Sequence, residues 1–242
     1  MKRFVFIRHD NDSNDDRIAG YLKHHRISVE NGRPHCGDRL DDFDHEVAVT
    51  VIYGGMFNVY EEVRHPFLYE EHRWIESFLK YEIPLLGICQ GAQSIAHVFD
   101  AYASPTDAGG HEFGYYPIKP TEAGRSYFPD QLVVPLAHFH AFQIPDGAVR
   151  LASSELFSNQ VMRVGEACFA FLFHPEVTPD ISRIWQDSDR EHHVKPGAQS
   201  RPLHDELIAI HDSDVGVWLN RFLDSWISDL VAQQGSAMVN RD

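Results

Sequence analysis

Cysteine is scarce in this chain of 242 residues, which contains Cys36, Cys89 and Cys168 and no others. The number is odd and the three positions are widely spaced, which argues against a framework of disulfide bonds. Cysteines that stay unpaired are typical of a reducing compartment. The cysteine content therefore predicts a cytoplasmic protein.

Long hydrophobic runs and an excess of positive charge are also missing. No uncharged apolar stretch is long enough for a membrane-spanning helix, which needs about 20 residues. The apolar part of the N-terminus, Phe4–Ile7, is too short for a signal peptide. The formal net charge is −15, which disfavours binding to a nucleic acid backbone or to an anionic membrane.

Motifs that hold a cofactor or a metal ion are absent from the sequence as well. There is no Gly-x-x-x-x-Gly-Lys phosphate-binding loop. The chain has 16 histidines, among them His24, His25, His138 and His140, but their spacing matches no compact zinc motif such as His-Glu-x-x-His. We therefore expect neither a cofactor nor a metal, and a metal-dependent hydrolase is a minor alternative.

The stretch from Pro84 to Gln93 combines a short apolar run with the sequence Gly-x-Cys-x-Gly. The apolar run predicts a buried strand and the residues after Cys89 predict a helix, so the cysteine falls at a sharp turn between them. Gly87 and Gly91 leave room for such a strained turn. A helix N-terminus that faces the thiol favours the thiolate. The alternative is a buried structural cysteine at the end of a strand.

A second apolar run, Phe169–Phe173, is followed by His174, Pro175 and Glu176. Residues two apart in an extended segment point to the same side, so His174 and Glu176 are predicted neighbours. Pro175 favours the extended conformation that keeps them together. A carboxylate beside an imidazole fixes its tautomer, which is how a nucleophile, a base and an orienting acid work together. The alternative is a surface turn after a core strand.

The segments Gly87–Gln93 and Phe173–Glu176 together resemble the class I (triad-type) glutamine amidotransferases, and especially the amidotransferase domain of GMP synthase and its free-standing relatives. The resemblance is best between Val47 and Thr178. It implies a single domain over residues 1–242 with a flavodoxin-like three-layer sandwich, in which a mainly parallel central sheet carries a small antiparallel extension. It also implies a catalytic triad of Cys89, His174 and Glu176.

The alternation of predicted strands and helices independently favours a mainly parallel sheet covered by helices. The clearest buried strand is Val47–Ile52, and Phe67–Tyr81 is predicted to be helical. Asp12 or Ser13 is predicted to cap an early helix that ends at Lys23.

The C-terminal third of the chain is predicted to end in an amphipathic helix over residues 214–231, capped by Ser213 or Asp214. A polar loop or insertion at 187–201 precedes it, and a frayed tail from Gln233 follows it.

The resemblance also implies which residues bind the substrate. The glycine pair after the strand at Val47–Ile52 sits opposite the nucleophile in the family, so the backbone N–H groups of Gly55 and Gln90 are expected to form the oxyanion hole. A side chain at Gly55 is expected to crowd the acyl group. Gln93 matches a residue that contacts glutamine.

One segment departs from the family pattern of Trp-His-x-Asp, because Ala137, His138, Phe139 and His140 occupy those four positions. The missing carboxylate at His140 weakens the assignment of glutamine as the substrate. We expect His138 and Phe139 to line the acyl pocket.

These observations predict a glutamine amidotransferase-type hydrolase that releases ammonia from glutamine through a thioester on Cys89. It serves either a separate synthase subunit or no partner at all, since the sequence has no pyrophosphatase loop. The alternatives are a free-standing hydrolase of another γ-glutamyl compound and a non-catalytic regulatory homologue.

Overall fold

The computed structural model describes residues 3–9, 15–40, 46–105, 110–188 and 190–239. In this part of the chain the strands are β1 (Arg3–Ile7), β2 (Val29–Gly32), β3 (Val47–Ile52), β4 (Leu85–Ile88), β5 (Ala103–Pro105), β6 (Glu112–Pro120), β7 (Leu132–His138), β8 (His140–Phe142), β9 (Ala148–Ser153), β10 (Val161–Val164) and β11 (Cys168–Phe171). The helices are α1 (Arg17–His24), α2 (Phe67–Lys80), α3 (Gln90–His97), α4 (Pro179–Ser188) and α5 (Arg201–Val239). Short 3-10 helices span Pro34–Cys36, Ala123–Ser126 and Arg190–Val194.

The described strands form a nine-stranded sheet in the order β2-β1-β3-β4-β11-β10-β9-β6-β7, and β5 pairs with β8 in a separate two-stranded sheet. From β2 to β11 all neighbours are parallel. From β11 to β7 they are antiparallel. The predicted α/β sandwich, with a parallel centre and an antiparallel extension, is confirmed.

Side chains alternate between two hydrophobic cores, one on each face of the sheet. In β3, Val49 and Val51 join the core that contains α1 and α5, whereas Ile52 joins the core that contains α2 and α3. A strand that is buried on both faces needs an unbroken apolar run, which is what this strand supplies.

The core on the α5 side is built around aromatic rings. Phe171 and Phe173 stack at 5.1 Å between ring centroids, and Phe222 of α5 lies 5.1 Å from Phe171. Burying each such ring stabilises the fold by roughly 1.5–3 kcal/mol. This packing fixes the end of β11, where His174 and Glu176 follow.

The start of α1 differs from the prediction. The N-cap residue is Asp16, whose Oδ1 accepts hydrogen bonds from the backbone N–H of Ile18 at 2.9 Å and of Ala19 at 3.0 Å. The predicted caps, Asp12 and Ser13, lie outside the described residues.

The predicted boundaries of the last helix are wrong. It begins at Arg201, not at 214, so Ser213 and Asp214 are interior residues and not caps. The buried positions His204, Ile208 and Val215 share one face at steps of four and seven residues, so the amphipathic pattern begins earlier than the large apolar side chains suggest. The helix also continues past 231 to Val239, and the predicted frayed tail is helical up to that residue.

The predicted polar segment at 187–201 connects α4 to α5 and contains the 3-10 helix Arg190–Val194. Gln199 holds this segment against β6. Its side chain accepts a hydrogen bond from Tyr115 N at 2.9 Å and donates one to Tyr115 O at 2.6 Å. None of the helices in the described ranges has the length and apolar character needed to cross a bilayer.

Candidate active site

Cys89 occupies the sharp turn between β4 and α3, as the sequence predicts. Its backbone has φ 51° and ψ −105°, a conformation that costs a non-glycine residue about 1–3 kcal/mol. The backbone N–H of Cys89 donates to Phe171 O at 2.7 Å, which ties the turn to β11. A Cβ atom on Gly87 would lie 2.6 Å from the backbone of Gly91, so both glycines are required by close packing.

His174 and Glu176 follow β11 and meet as predicted, but the backbone between them is a turn and not the extended segment that the sequence predicts, since Val177 N donates to His174 O at 3.3 Å. Nδ1 of His174 lies 2.8 Å from Oε1 of Glu176, and both side chains are about 95% buried. The backbone N–H of His174 donates to Pro135 O at 2.8 Å, and the backbone carbonyl of Glu176 accepts from Arg17 N at 2.9 Å. These bonds hold the segment after β11 against β7 and α1.

The other ring nitrogen of His174, Nε2, is buried and has no hydrogen-bond partner within the described part of the chain, and the same is true of Glu176 Oε2. Burial by itself lowers the pKa of His174, but the negative charges of Glu176 and Cys89 outweigh it and raise the pKa to about 10. His174 is therefore an imidazolium at neutral pH, with a donor nitrogen available beside the thiol.

The glycine pair after β3 lies against these residues, but the two glycines face different neighbours. A Cβ atom on Gly54 would lie 2.9 Å from Cε1 of His174 and 3.3 Å from Cβ of Cys89. A Cβ atom on Gly55 would instead meet His9 and Oε1 of Gln90. The expectation that a side chain at Gly55 crowds the acyl group is wrong, because Gly54 is the glycine whose Cα faces the thiol.

Polar contacts hold the backbone on both sides of the glycine pair. Oε1 of Gln90 accepts a hydrogen bond from Phe57 N at 2.8 Å. His9 places Nδ1 3.1 Å from Tyr53 O and Nε2 2.6 Å from Glu71 Oε2, in a fully buried ion pair. Burial lowers the pKa of His9, but the neighbouring Glu71 outweighs burial and raises it. The contact of His9 with Tyr53 O fixes the backbone before Gly54.

These residues border a cavity of about 320 Å³. Cys89, His174, Glu176 and both glycines line it, and the predicted binding residues Gln93, His138 and Phe139 form other parts of its wall. The backbone N–H of Gln90 opens α3 and is one of the donors that a helix leaves unpaired. The structure thus brings all the predicted site residues together.

His138 is immobilised in that wall. Its Nδ1 lies 3.1 Å from His140 O and its Nε2 lies 3.1 Å from Oε2 of Glu112. Glu112 also accepts hydrogen bonds from Ser154 and Gln160, each at 2.7 Å. Glu112 is therefore a residue that orients His138.

The sequence did not predict the aromatic and imidazole part of the wall. His111 stacks on Phe139 at 5.8 Å and on His192 at 5.0 Å between ring centroids. Trp185 of α4 packs its ring edge-on against His174 at 4.9 Å. His192 and Trp185 come from the region of α4 and the polar segment, where composition alone carries no signal for a binding site.

A polar cluster on the N-terminal side of the cavity was also missed. Nη2 of Arg8 pairs with Oδ2 of Asp16 at 2.5 Å, and the hydroxyl of Tyr53 donates to Oδ1 of Asp16 at 3.1 Å. The guanidinium of Arg8 lies 4.0 Å from the centre of the Tyr53 ring. In the structure Arg8 follows β1 and Tyr53 follows β3, so both lie at the carboxyl edge of the sheet.

This fold and this arrangement of cysteine, histidine and glutamate define the class of protein: the chain belongs to the glutamine amidotransferase class-I family, whose model matches residues 9–184. It is 28% identical over 196 residues to a glutamine-hydrolyzing GMP synthase from Christiangramia forsetii, an alignment that covers 78% of this chain but 33% of that protein. The chain thus spans about a third of the length of that relative.

Two further similarities bear on the site. A gamma-glutamyl-CDP-amidate hydrolase from Campylobacter jejuni is 53% identical over 47 residues, which are 19% of this chain and 23% of that protein. The solved structure of a glutamine amidotransferase from Thermotoga maritima is 28% identical and superimposes with a TM-score of 0.84, covering 93% of this chain and 98% of that one.

Proposed function

We propose that this chain hydrolyses the side-chain amide of glutamine and releases ammonia, with Cys89 as the nucleophile. The observation that carries the proposal is the pairing of a thiol at a strained turn with an imidazole whose Nε2 has no other partner within the described residues. Glu176 holds the opposite ring nitrogen and so orients the ring.

The proposed reaction follows from the charge of His174. The imidazolium stabilises the thiolate of Cys89, which attacks the γ-carbonyl carbon of glutamine. The carbonyl oxygen becomes an oxyanion that the N–H groups of Gly55 and Gln90 stabilise, and a donor of this kind contributes roughly 10²–10³-fold in rate. His174 gives its proton to the leaving nitrogen as the tetrahedral intermediate collapses to a thioester and ammonia. Water, deprotonated by His174, then cleaves the thioester to glutamate.

The test uses 6-diazo-5-oxonorleucine, a glutamine-like electrophile, with intact-mass spectrometry of the wild type and of Cys89→Ala. We expect one adduct on the wild type and none on the variant. If the electrophile leaves the wild type unmodified while a general thiol reagent labels Cys89, the glutamine proposal fails. A non-catalytic homologue or a different substrate then takes its place.

The second candidate function is hydrolysis of a larger γ-glutamyl compound. The carboxylates that line the described part of the cavity, Asp16 and Glu176, are already engaged by Arg8 and His174. At the position where the resemblance implies an aspartate, the chain has His140, whose pKa is lowered by burial and by His138. An imidazole thus stands where a carboxylate would hold the α-ammonium group of free glutamine, and the rings of His111, Phe139 and Trp185 line other parts of the wall.

The two candidates predict different substrate preferences. A γ-glutamyl anilide carries an aromatic leaving group, and the stacked rings of His111 and Phe139 favour such a group. If the second candidate is correct, kcat/KM for the anilide exceeds that for glutamine by at least about tenfold, which is about 1.4 kcal/mol of transition-state binding. A preference for glutamine supports the first candidate.

The acceptor of any released ammonia and the cellular location are proposals too. One relative, from Methanoregula boonei, is named as one of the subunits of a glutamine-hydrolyzing GMP synthase, which favours a separate synthase protein as the partner of this chain. All three cysteines are free, which supports a cytoplasmic enzyme. Co-purification of a synthase with the chain tests the first of these proposals.

A further inference from the structure

Two histidines and a glutamate meet at a place that the proposed reaction does not use. Glu62 comes from the segment between β3 and α2, His72 from α2, and His97 is the last residue of α3. Nε2 of His97 lies 2.6 Å from Oε1 of Glu62, and Nδ1 of His72 lies 3.6 Å from the same oxygen. None of the three residues lines the cavity beside Cys89.

His72 is the unexplained member of this group. Its side chain is only 10% exposed, and Nε2 is buried without a partner within the described residues. The contact of Nδ1 with Glu62 is longer than a hydrogen bond. A buried imidazole normally satisfies both nitrogens, because an unsatisfied buried polar group is destabilising. Nδ1, the nitrogen that faces Glu62, has no hydrogen bond among the described residues and is therefore available to an ion.

The surroundings of the group suit a cation. Glu62 lines a cleft together with Glu76 and Asp100, so three acidic side chains face this space.

We propose that Glu62, His72 and His97 bind a divalent transition-metal ion of the Zn²⁺ class. One ligand atom from each residue already lies within 4.8 Å of the other two. Two imidazole nitrogens and one carboxylate oxygen are a donor set that Zn²⁺ accepts at about 2.0–2.2 Å, which places tetrahedral ligand atoms roughly 3.3–3.6 Å from one another. The 2.6 Å contact between Glu62 and His97 therefore opens, the others shorten slightly, and water completes the tetrahedron from the cleft.

Such an ion would join three segments that surround the proposed active site. The segment with Glu62 follows the Gly54–Gly55 turn, and α3 begins next to Cys89. None of its three ligands lines the cavity beside Cys89, so its expected effect is on the stability of this corner of the fold. By mass action, an ion that binds only the folded chain raises its Tm.

The experiment measures Zn²⁺ binding by calorimetry after treatment with a chelator, together with thermal unfolding. All proteins carry Cys89→Ala, because the thiol of Cys89 and the imidazole of His174 offer a competing zinc site. Glu62→Gln and His97→Gln remove one ligand each at part-exposed positions. His24→Gln, in α1 and exposed, is the matched control.

We expect one equivalent of Zn²⁺ to bind and to raise the Tm of the parent and of the His24→Gln control. Glu62→Gln and His97→Gln should each weaken binding by at least about 100-fold and abolish the rise in Tm. Co²⁺ in place of Zn²⁺ should give the visible absorption of a tetrahedral site. The proposal is wrong if the parent binds no Zn²⁺, or if both ligand variants bind it as tightly as the control. Neither outcome bears on the hydrolytic function, since every protein in the series lacks the Cys89 thiol.

Discussion

Two buried imidazole–carboxylate pairs border the same cavity, yet only one has the geometry of a catalytic pair. His174 and Glu176 leave Nε2 and Oε2 without partners among the described residues. His138 and Glu112 are equally buried, but His138 has a partner at both nitrogens and Glu112 has partners at both oxygens. Burial and a neighbouring carboxylate do not make an imidazole reactive, because it also needs a free nitrogen that faces the substrate.

The backbone explains why the two pairs differ. Glu176 follows His174 by two residues in a turn that the hydrogen bond from Val177 N to His174 O closes at 3.3 Å, so one hydrogen bond joins the two side chains and the remaining atoms point elsewhere. Glu112 and His138 lie opposite each other on β6 and β7 and share a network with Ser154 and Gln160. In this network both nitrogens of His138 and both oxygens of Glu112 have partners, so neither residue has an atom left for chemistry.

Of the changes at Cys89, His174 and Glu176, removing the thiol of Cys89 should lower the rate most. We expect Cys89→Ser to lower kcat/KM for the substrate by at least about 10⁴-fold, because a neutral hydroxyl is a far weaker nucleophile than a thiolate. The release of ammonia or of the leaving group measures it. Cys36→Ser changes an exposed thiol and should leave the rate within twofold. Comparable losses in both variants would contradict the assignment.

Replacing the imidazole of His174 should lower the rate by the next largest factor. We expect His174→Gln to lower kcat by about 10³-fold, because an amide keeps one hydrogen bond to Glu176 but cannot carry a proton. The rate of Cys89 alkylation at pH 7 should fall as well, because the cation that stabilises the thiolate is gone. Alkylation as fast as in the wild type would show that His174 does not interact with the thiol.

Removing the carboxylate of Glu176 should lower the rate less than removing the imidazole of His174. It should also change how the free energy of unfolding depends on pH. We expect Glu176→Gln to lower kcat by about 10²-fold, through a less well oriented imidazole. In the wild type the pKa of His174 is raised to about 10 from an ordinary value of 6.5. A raised pKa stabilises the fold fully below the unfolded value, and this contribution is lost as the pH rises through about 10.

Urea unfolding between pH 6 and pH 10 measures that contribution. The free energy of unfolding of the wild type should fall across this range relative to Glu176→Gln, in which the carboxylate that raises the pKa is absent. Parallel curves for the two proteins would mean that Glu176 does not hold the proton on His174.

The sequence predicts that His174 and Glu176 pair near Cys89, but it does not predict the aromatic part of the cavity wall around them. The elbow at Cys89 and the His174–Glu176 pair are local motifs at the carboxyl ends of neighbouring strands, and parallel strands bring such ends together without further information. The stack of His111, Phe139 and His192 depends instead on contacts between distant segments. Those contacts depend on the register of β6 with β7 and on the hydrogen bonds between Gln199 and Tyr115. No short sequence motif predicts either of them.

The boundary errors have a similar origin. Acidic and hydroxyl side chains before α1 offered several caps, and the choice of Asp16 rests on Arg8 and Tyr53, which come from other strands. In α5 the buried face begins with His204 and Ile208, but a histidine in a polar stretch does not mark a helix face by itself. Tertiary contacts therefore decided both boundaries.

The smallest effect on the rate should come from changes at His138 and Glu112, whose polar side-chain atoms all have partners. We expect His138→Gln to change kcat less than about threefold and to raise KM several-fold, because the residue shapes the cavity wall without taking part in proton transfer. The loss should appear mainly as about 1–3 kcal/mol of unfolding free energy, since Glu112 keeps Ser154 and Gln160 but loses its third partner. Glu112→Gln should reproduce the stability loss with an even smaller change in KM. If His138→Gln instead slows turnover by about 10²-fold or more while the protein still melts cooperatively, the two pairs are functionally alike, and the distinction between a reactive pair and a structural one is lost.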